Sequence, residues 1–394
     1  MIANNLKHFL RALVVTHQLR KLFVAAIVAS FVLDAITVSL AMPQGKGNAN
    51  ATPAGRTFNA TAPAPDLPVS SGVCRQENFA LFEGPDIGDI AADTSCPSVI
   101  NAIRTAYLNG EKPLTSKSFY YLSELQPFLG NNYSKLPCFL KAVGGTEFGS
   151  ATLVIDQSVT LSQQLVIPSR YTLAGVGING QGELRFTGLG NGASAVRLDT
   201  QATNITIRDL AIGRVDGGVN VGIDVSRANK VFIRDVLVTG FFAGIYGSRP
   251  GTNAISVYID RSSVFQNEYN IVMHRNAFHW RIRDSILNQA GCWGLRIFGP
   301  LGDPVPSNGE PVYGNDHLVQ GSRFEGSGVG GAILGSDSAM LMNNRFEQNG
   351  GNGGVGIMIQ SSASRTRLIS NYLSGNILIN QGSQTQSFGA ITDP

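Results

Sequence analysis

Short runs of alternating apolar and polar residues recur between positions 204 and 299. Four copies of one strand-turn-strand unit can be aligned there, at 204–212, 230–238, 257–265 and 280–287. Spacings of 26, 26 and 23 residues separate their turn positions, which are Asp209, Asp235, Arg261 and Asp284. Strands this short cannot bury an apolar face alone, so each copy must stack on its neighbours. The pattern predicts an all-β fold, a parallel β-solenoid.

A further apolar strand follows each copy, and its alternation indicates which side chains point inward. We expect one inward stack from Ile223, Ile245, Ile271, Leu295, Ile333, Ile357 and Ile377. Similar units recur later, and we expect Asn344 and Asn371 to take the turn position that aspartates hold earlier. Asp and Asn tolerate left-handed backbone and bond neighbouring backbone groups, so we interpret these turn residues as structural.

Two passages resemble the pectate-lyase-like right-handed parallel β-helix superfamily. One is the run from Leu165 to Gly177, with an Ile-Pro-Ser turn and a final Gly-Val-Gly, and the other is the turn from Asn344 to Asn349. The resemblance covers roughly residues 150–382. It implies a right-handed parallel β-helix whose partner is a polysaccharide.

The N-terminus has the pattern of an export signal. Basic residues precede an apolar run at 22–42, and they are Lys7, Arg11, Arg20 and Lys21. Residues 1–41 are therefore expected to be a cleaved signal peptide or, as the alternative, an uncleaved signal anchor through 22–42. In both cases the body is secreted, periplasmic or at the cell surface, and this segment is the only expected membrane contact.

The next two segments differ in composition. Residues 42–72 are rich in Ala, Pro, Thr and Ser, which predicts a flexible linker. Residues 73–150 contain helical patterns at 97–110 and 116–126, and we expect this segment to cap the open end of the solenoid. The β-helix itself is expected at 151–394.

Composition excludes some functions and leaves others open. The chain of 394 residues has 46 glycines, 14% charged residues and a net charge of +3, which gives no case for nucleic-acid binding. The four cysteines allow one or two disulfides, and we favour a bond between Cys96 and Cys138. No cysteine pair has metal-ligand spacing, so neither a metal nor a cofactor is expected.

Outward positions of the later strands carry the strongest candidate chemistry. Strand alternation puts Asp224, Tyr246, Val272 and Arg296 in one outward column, with Ser248, His274 and Phe298 two residues further on. Cleavage of a polyuronate by β-elimination needs a base that removes the proton next to the carboxylate, and a cation that stabilises the resulting enolate. Tyr246 or His274 could be that base and Arg296 the cation, with Asp224, Ser248 and Phe298 binding substrate. The alternative is an exposed face that carries polar residues by chance.

The first strand of each copy offers a second candidate surface. One outward column, here called the arginine column, contains Arg208, Arg234, Asp260 and Arg283. The column beside it, called the aromatic column, contains Thr206, Phe232, Tyr258 and Arg281. Such a surface suits an acidic glycan. The favoured alternative is a solvated face with Asp260 paired to a flanking arginine. Trp280 is expected in the core. His317, at the start of a strand, is expected to be a structural histidine with its hydrogen bonds satisfied.

Missing motifs narrow the enzymatic hypotheses. The chain contains no Asp-Asp and no Gly-His-Gly, which polygalacturonase-type relatives use, and no Asp-His-Cys of well-known pectate lyases. Asp224 also has no carboxylate partner in the neighbouring columns, so hydrolysis ranks below elimination. Two hypotheses remain: an exported lyase or epimerase acting on an acidic glycan, or a non-catalytic glycan-binding or surface structural protein.

Overall fold

The computed structural model describes residues 74, 97–99, 101–102, 105, 119–143, 151–177, 182–247, 252–274, 276–298, 315–351, 353–389 and 391–392. Over this part the chain forms a right-handed parallel β-helix, as predicted. A typical coil gives one strand to each of three parallel sheets before the next coil stacks on it. The predicted signal and linker segments at 1–72 lie outside the described residues. Within those residues, no helix is both long and apolar enough to cross a bilayer.

The first sheet has twelve strands and is the longest. Its strands are β1 (Phe119–Tyr121), β2 (Ala151–Ile155), β5 (Tyr171–Gly175), β8 (Thr203–Arg208), β11 (Asn229–Arg234), β14 (Ala254–Asp260), β17 (Ala277–Phe278), β18 (Arg281–Arg283), β20 (Leu318–Gln320), β23 (Met340–Met342), β26 (Arg367–Ile369) and β29 (Gln386–Phe388).

The second sheet has two parts, of five and four strands, which single bridges at Ile286 connect. Its strands are β3 (Val159–Leu161), β6 (Glu183–Phe186), β9 (Ala211–Arg214), β12 (Leu237–Thr239), β15 (Ser263–Phe265), β21 (Arg323–Glu325), β24 (Arg345–Glu347), β27 (Tyr372–Ser374) and β30 (Ile391–Thr392). The third sheet has nine: β4 (Leu165–Ile167), β7 (Ser194–Leu198), β10 (Val221–Asp224), β13 (Ala243–Gly247), β16 (Tyr269–Met273), β19 (Trp293–Ile297), β22 (Gly330–Leu334), β25 (Gly354–Ile359) and β28 (Asn376–Asn380).

The predicted inward stack is confirmed over its first four members and wrong at two later ones. Ile223, Ile245, Ile271 and Leu295 are register partners and fully buried. Ala332, not Ile333, pairs with Leu295, so Ile333 belongs to the outer column. A register shift in β25 likewise moves Leu378, rather than Ile377, opposite Ile357. Third-sheet strands are apolar on both faces. Their sequences therefore do not alternate between apolar and polar residues, and the pattern does not show which side chains point inward.

The turn after each first-sheet strand has left-handed backbone. Asp209, Asp235 and Asp284 have φ values of 55°, 53° and 48°, which confirms the structural interpretation of these aspartates. Later coils fill the same position with Gly321, Asn343, Ser370 and Gly389. The expectation for Asn344 and Asn371 was wrong by one residue. They are the buried residues that follow, and the Asn371 side chain accepts bonds from Asn344.

Helices precede the second strand of the first sheet. Residues 97–99, 101, 102 and 105 are helical, followed by α1 (Leu122–Leu125), two 3₁₀ turns (Gln126–Phe128 and Asn131–Tyr133) and α2 (Leu136–Val143). Leu122, Leu125 and Phe139 join the same apolar core as the first coils. That this segment caps the end of the solenoid stays a prediction. The helix predicted at 116–126 is wrong in its first half, because Phe119–Tyr121 forms β1 and pairs with β2.

Candidate functional site

The outer column of the third sheet has the register that the sequence predicted. Asp224 pairs with Tyr246, Tyr246 with Val272 and Val272 with Arg296. Arg197, which the sequence interpretation missed, precedes Asp224 in this column. His274 and Phe298 lie one residue beyond their strands, with ring centroids 4.7 Å apart. Ser248 lies outside the described residues.

This face is buried, contrary to the expectation of an exposed patch. Asp224, Tyr246 and His274 are at most 2% exposed, and Arg296 is only partly exposed. They share the face with a second apolar cluster, which contains Val221, Phe242, Ala243, Tyr269, Val272, Cys292, Trp293 and Ile333. Apolar residues on both faces of a sheet bury it on both sides.

The polar side chains on this face are engaged with one another. Ser194 Oγ and the Ser226 backbone N–H each donate a 3.0 Å hydrogen bond to the Asp224 carboxylate. The Arg296 guanidinium carbon lies 4.1 Å from the centroid of the Phe298 ring. These contacts suit a packed layer, since buried polar groups need partners and a guanidinium stacks well on an aromatic ring.

A disulfide links Cys74 to the buried face of the third sheet. Cys74 is bonded to Cys292, 218 residues later in the chain, and both lie in the second apolar cluster. Cysteine spacing gave no signal for this pair, because connectivity cannot be read from sequence. Cys138 is also disulfide-bonded, and its predicted partner Cys96 lies outside the described residues.

The outer face of the first sheet presents its aromatic side chains to solvent. Phe232 and Tyr258 are register partners on β11 and β14, and their rings stack with centroids 5.0 Å apart and planes 10° apart. Phe232 is 42% exposed. Phe119, Tyr121 and Phe388 are exposed on the same sheet. Four of the seven large exposed apolar side chains of the described residues therefore lie on this sheet, at separate positions along its length.

The arginine column lies beside these rings in the predicted register. Arg208 pairs with Arg234, Arg234 with Asp260 and Asp260 with Arg283. Arg208 forms a 2.7 Å ion pair with Asp209 of the adjacent turn. Another turn aspartate, Asp235, is 3.5 Å from Arg234 and accepts two shorter bonds, of 3.0 and 2.6 Å, from Arg261.

Asp260 and Arg283 differ from Arg208 and Arg234 of the same column in their ion pairing. The expected pairing of Asp260 with a flanking arginine is not found: neither residue makes an ion pair within the described part of the chain. Arg283 is exposed and Asp260 is partly exposed. Neither charge is therefore neutralised by a direct ion pair, although the Asp260 carboxylate is close enough to Arg261 to contribute to the raised pKa of that guanidinium.

Trp280 lies in the interior, as predicted, and His317 is buried as well. Trp280 is fully buried, and its Nε1 donates a 3.1 Å hydrogen bond to the Ala254 carbonyl. His317 is buried one coil further on, but among the described residues neither ring nitrogen has a hydrogen-bond partner, so the expectation of satisfied bonds was wrong. Burial, reinforced by the Arg281 charge, lowers the pKa of His317 to about 3. The described residues contain no group of three or more metal-ligating side chains.

Comparisons with known proteins support the fold and no specific activity. No protein-family model matches the chain, and a search of curated proteins finds no match. Among solved structures, the A-module of the Azotobacter vinelandii mannuronan C-5 epimerase is 15% identical, with a TM-score of 0.39 over 63% of this chain and 73% of that one. A Geobacillus virus E2 protein is 13% identical, with a TM-score of 0.41 over 62% of this chain and 53% of that one.

An Acinetobacter phage tailspike is 10% identical, with a TM-score of 0.43 over 70% of this chain and 46% of its own. The chain thus spans about half of the viral protein and less than half of the tailspike. Carbohydrate-active enzymes and tailspikes share the β-helix fold, and the assignment of that fold here rests on the strand pairing of this chain.

Proposed function

We propose that this protein binds an acidic polysaccharide along the outer face of its first sheet without cleaving it. The observation that carries the proposal is the stack of exposed Phe232 on partly exposed Tyr258, with Arg208, Arg234, Asp260 and Arg283 in register beside it. Exposed aromatic rings offer apolar contact area at low conformational cost, and arginine presents a planar fork that fits a carboxylate.

The periodicity of the surface suits a polymer. Side chains at equivalent positions of adjacent coils lie about 4.8 Å apart, so the surface presents several contacts in one line. A polysaccharide repeats its chemistry along a line, and several weak contacts with one chain add to a useful affinity. Arg234 and Arg283 would meet its acidic groups while Phe232 and Tyr258 contact the sugar rings.

Burial of the third-sheet face favours binding over elimination. A general base must come within hydrogen-bond reach of the proton that it removes. Tyr246 and His274 are buried among apolar side chains, and Arg296 stacks on Phe298. The exposed first-sheet face carries arginines and aromatics instead. We propose export as the setting of this binding, because the N-terminal pattern predicts it and disulfides persist outside the cytoplasm.

A binding and turnover assay on the full chain tests the proposal. The chain would be incubated at low salt with pectate, alginate and glycosaminoglycans, while retention and the absorbance of unsaturated products are measured. We expect retention of at least one acidic polymer with no unsaturated product. Unsaturated products would support elimination, and the absence of both retention and product would overturn glycan binding.

A further inference from the structure

Charges alternate along one part of the arginine column. Arg234, Asp260 and Arg283 are successive register partners on β11, β14 and β18. Adjacent members lie one coil apart, about 4.8 Å along the axis of the β-helix. The order along that axis is therefore positive, negative, positive.

All three charges remain available to a ligand. Asp260 and Arg283 have no ion pair within the described residues. Arg234 lies 3.5 Å from Asp235, whose carboxylate is already bound more closely by Arg261. At both ends the pattern stops: Arg208 is neutralised by Asp209 at 2.7 Å, and the uncharged Gln320 follows Arg283.

From this alternation we infer which class of acidic glycan the surface prefers. This inference rests on the proposed function. The surface selects a glycan whose acidic units alternate with uncharged units. With one sugar unit to each coil, two carboxylates of such a glycan meet Arg234 and Arg283, and the uncharged unit offers hydroxyl or amide donors to Asp260. A uniform polyuronate would instead place a carboxylate beside Asp260, where like charges repel.

Asp260 is in this view the residue that determines specificity. Its side chain accepts hydrogen bonds but cannot donate them while ionised, so it favours N–H and O–H groups of the neighbouring sugar. At the partly exposed position of Asp260, repulsion of a second carboxylate should weaken binding by about fivefold.

The test compares two oligosaccharides of equal length on the full chain. Hexasaccharides of hyaluronan, which alternate glucuronate with N-acetylglucosamine, and of uniform polygalacturonate would be titrated at low salt against wild type, Asp260→Asn and Asp260→Ser. Asp199→Asn is the matched control, because it removes the same charge from the turn that precedes β8, at the opposite end of the strands. Circular dichroism checks that each variant is folded.

We expect wild type and Asp199→Asn to prefer the alternating glycan by about fivefold. Both Asp260 variants should bind the uniform glycan about fivefold more tightly and the alternating one no more tightly than wild type. If the oligosaccharides bind equally and the Asp260 variants change nothing, the specificity inference is overturned while glycan binding stands. If wild type binds neither oligosaccharide nor any polymer of the panel, the proposed function fails as well.

Discussion

The rings of Phe232 and Tyr258 lie parallel at 5.0 Å on adjacent coils, on a face whose other side builds the core of the β-helix. Their neighbours Val231 and Ile233 point inward and are fully buried, so the strand beneath the rings is fixed by core packing. A rigid support of this kind holds the aromatic pair in place before any ligand arrives. Preorganisation lowers the entropy cost of binding.

Replacing both Phe232 and Tyr258 by alanine should weaken glycan binding and leave the fold intact. Contact of a sugar ring with an exposed aromatic ring is worth on the order of 1 kcal/mol, so we expect at least about a tenfold loss for the pair. Titration with the bound polymer measures the loss. Phe388→Ala is the control, since Phe388 is exposed at the far end of the same sheet. If Phe388→Ala weakens glycan binding as much as the double variant does, the glycan does not bind specifically at Phe232 and Tyr258.

Buried His317 should make the protein less stable in acid. The unfolded histidine binds a proton below about pH 6.5, whereas the folded pKa is about 3. Between these values the unfolded state binds more protons, so the free energy of unfolding falls as pH falls, by up to ~1.4 kcal/mol per pH unit. Urea unfolding at a series of pH values measures this slope.

His317→Leu should flatten that slope, because leucine carries no proton in either state. His279→Asn is the control, because the His279 ring is 52% exposed in the same region of the β-helix and asparagine tolerates the left-handed backbone there. A slope that His317→Leu leaves intact would mean that other groups cause the acid sensitivity.

Gly331→Ala should destabilise the β-helix. A Cβ at Gly331 would lie 2.6 Å from the Phe346 ring, which stacks on Phe324 in the core, and 2.6 Å from the Gly356 carbonyl. Overpacking of this kind costs about 1 to 3 kcal/mol. Gly190→Ala is the control, since nothing lies within 4 Å of its Cβ position. Thermal unfolding compares the two, and equal midpoints would contradict this packing.

Removing the Cys74–Cys292 disulfide should lower stability. The bond closes a loop across 218 residues, and the chain-entropy model gives a contribution of about 5 kcal/mol at most. Cys74→Ser, Cys292→Ser and the double variant should lose similar amounts, because either sulfur alone cannot form the bond. Urea unfolding without reductant measures the loss. A midpoint equal to wild type in all three variants would show that residue 74 contributes no constraint.

The sequence predicted correctly which side chains point inward where a strand alternates between buried and solvent-facing positions. In the first sheet, Ile205 and Val231 alternate with Thr206 and Phe232, so inward and outward positions were predicted correctly. It failed where both faces are apolar, as at Ile333, and where two asparagines adjoin, as at Asn343 and Asn344. In both cases a shift of one residue leaves the pattern unchanged.

Burial of the third-sheet face could not be predicted from local pattern. It depends on contacts between residues far apart in the chain, of which the Cys74–Cys292 bond is one. Tyr246, His274 and Arg296 therefore looked like an exposed constellation although two of them are buried. Phe119 and Tyr121 were missed as surface aromatics, because their short run was assigned to a helix.

The most direct test of glycan binding by the arginine column is a titration of wild type and the Arg234→Ala/Arg283→Ala variant with the same acidic polysaccharide at low and high salt. Both arginines are exposed, and contacts of exposed charges are worth up to about 1 kcal/mol each and weaken with salt. We expect wild-type binding to fall as salt rises, and the variant to bind about tenfold more weakly with a smaller salt dependence. Equal affinity of the two proteins at low salt would contradict it.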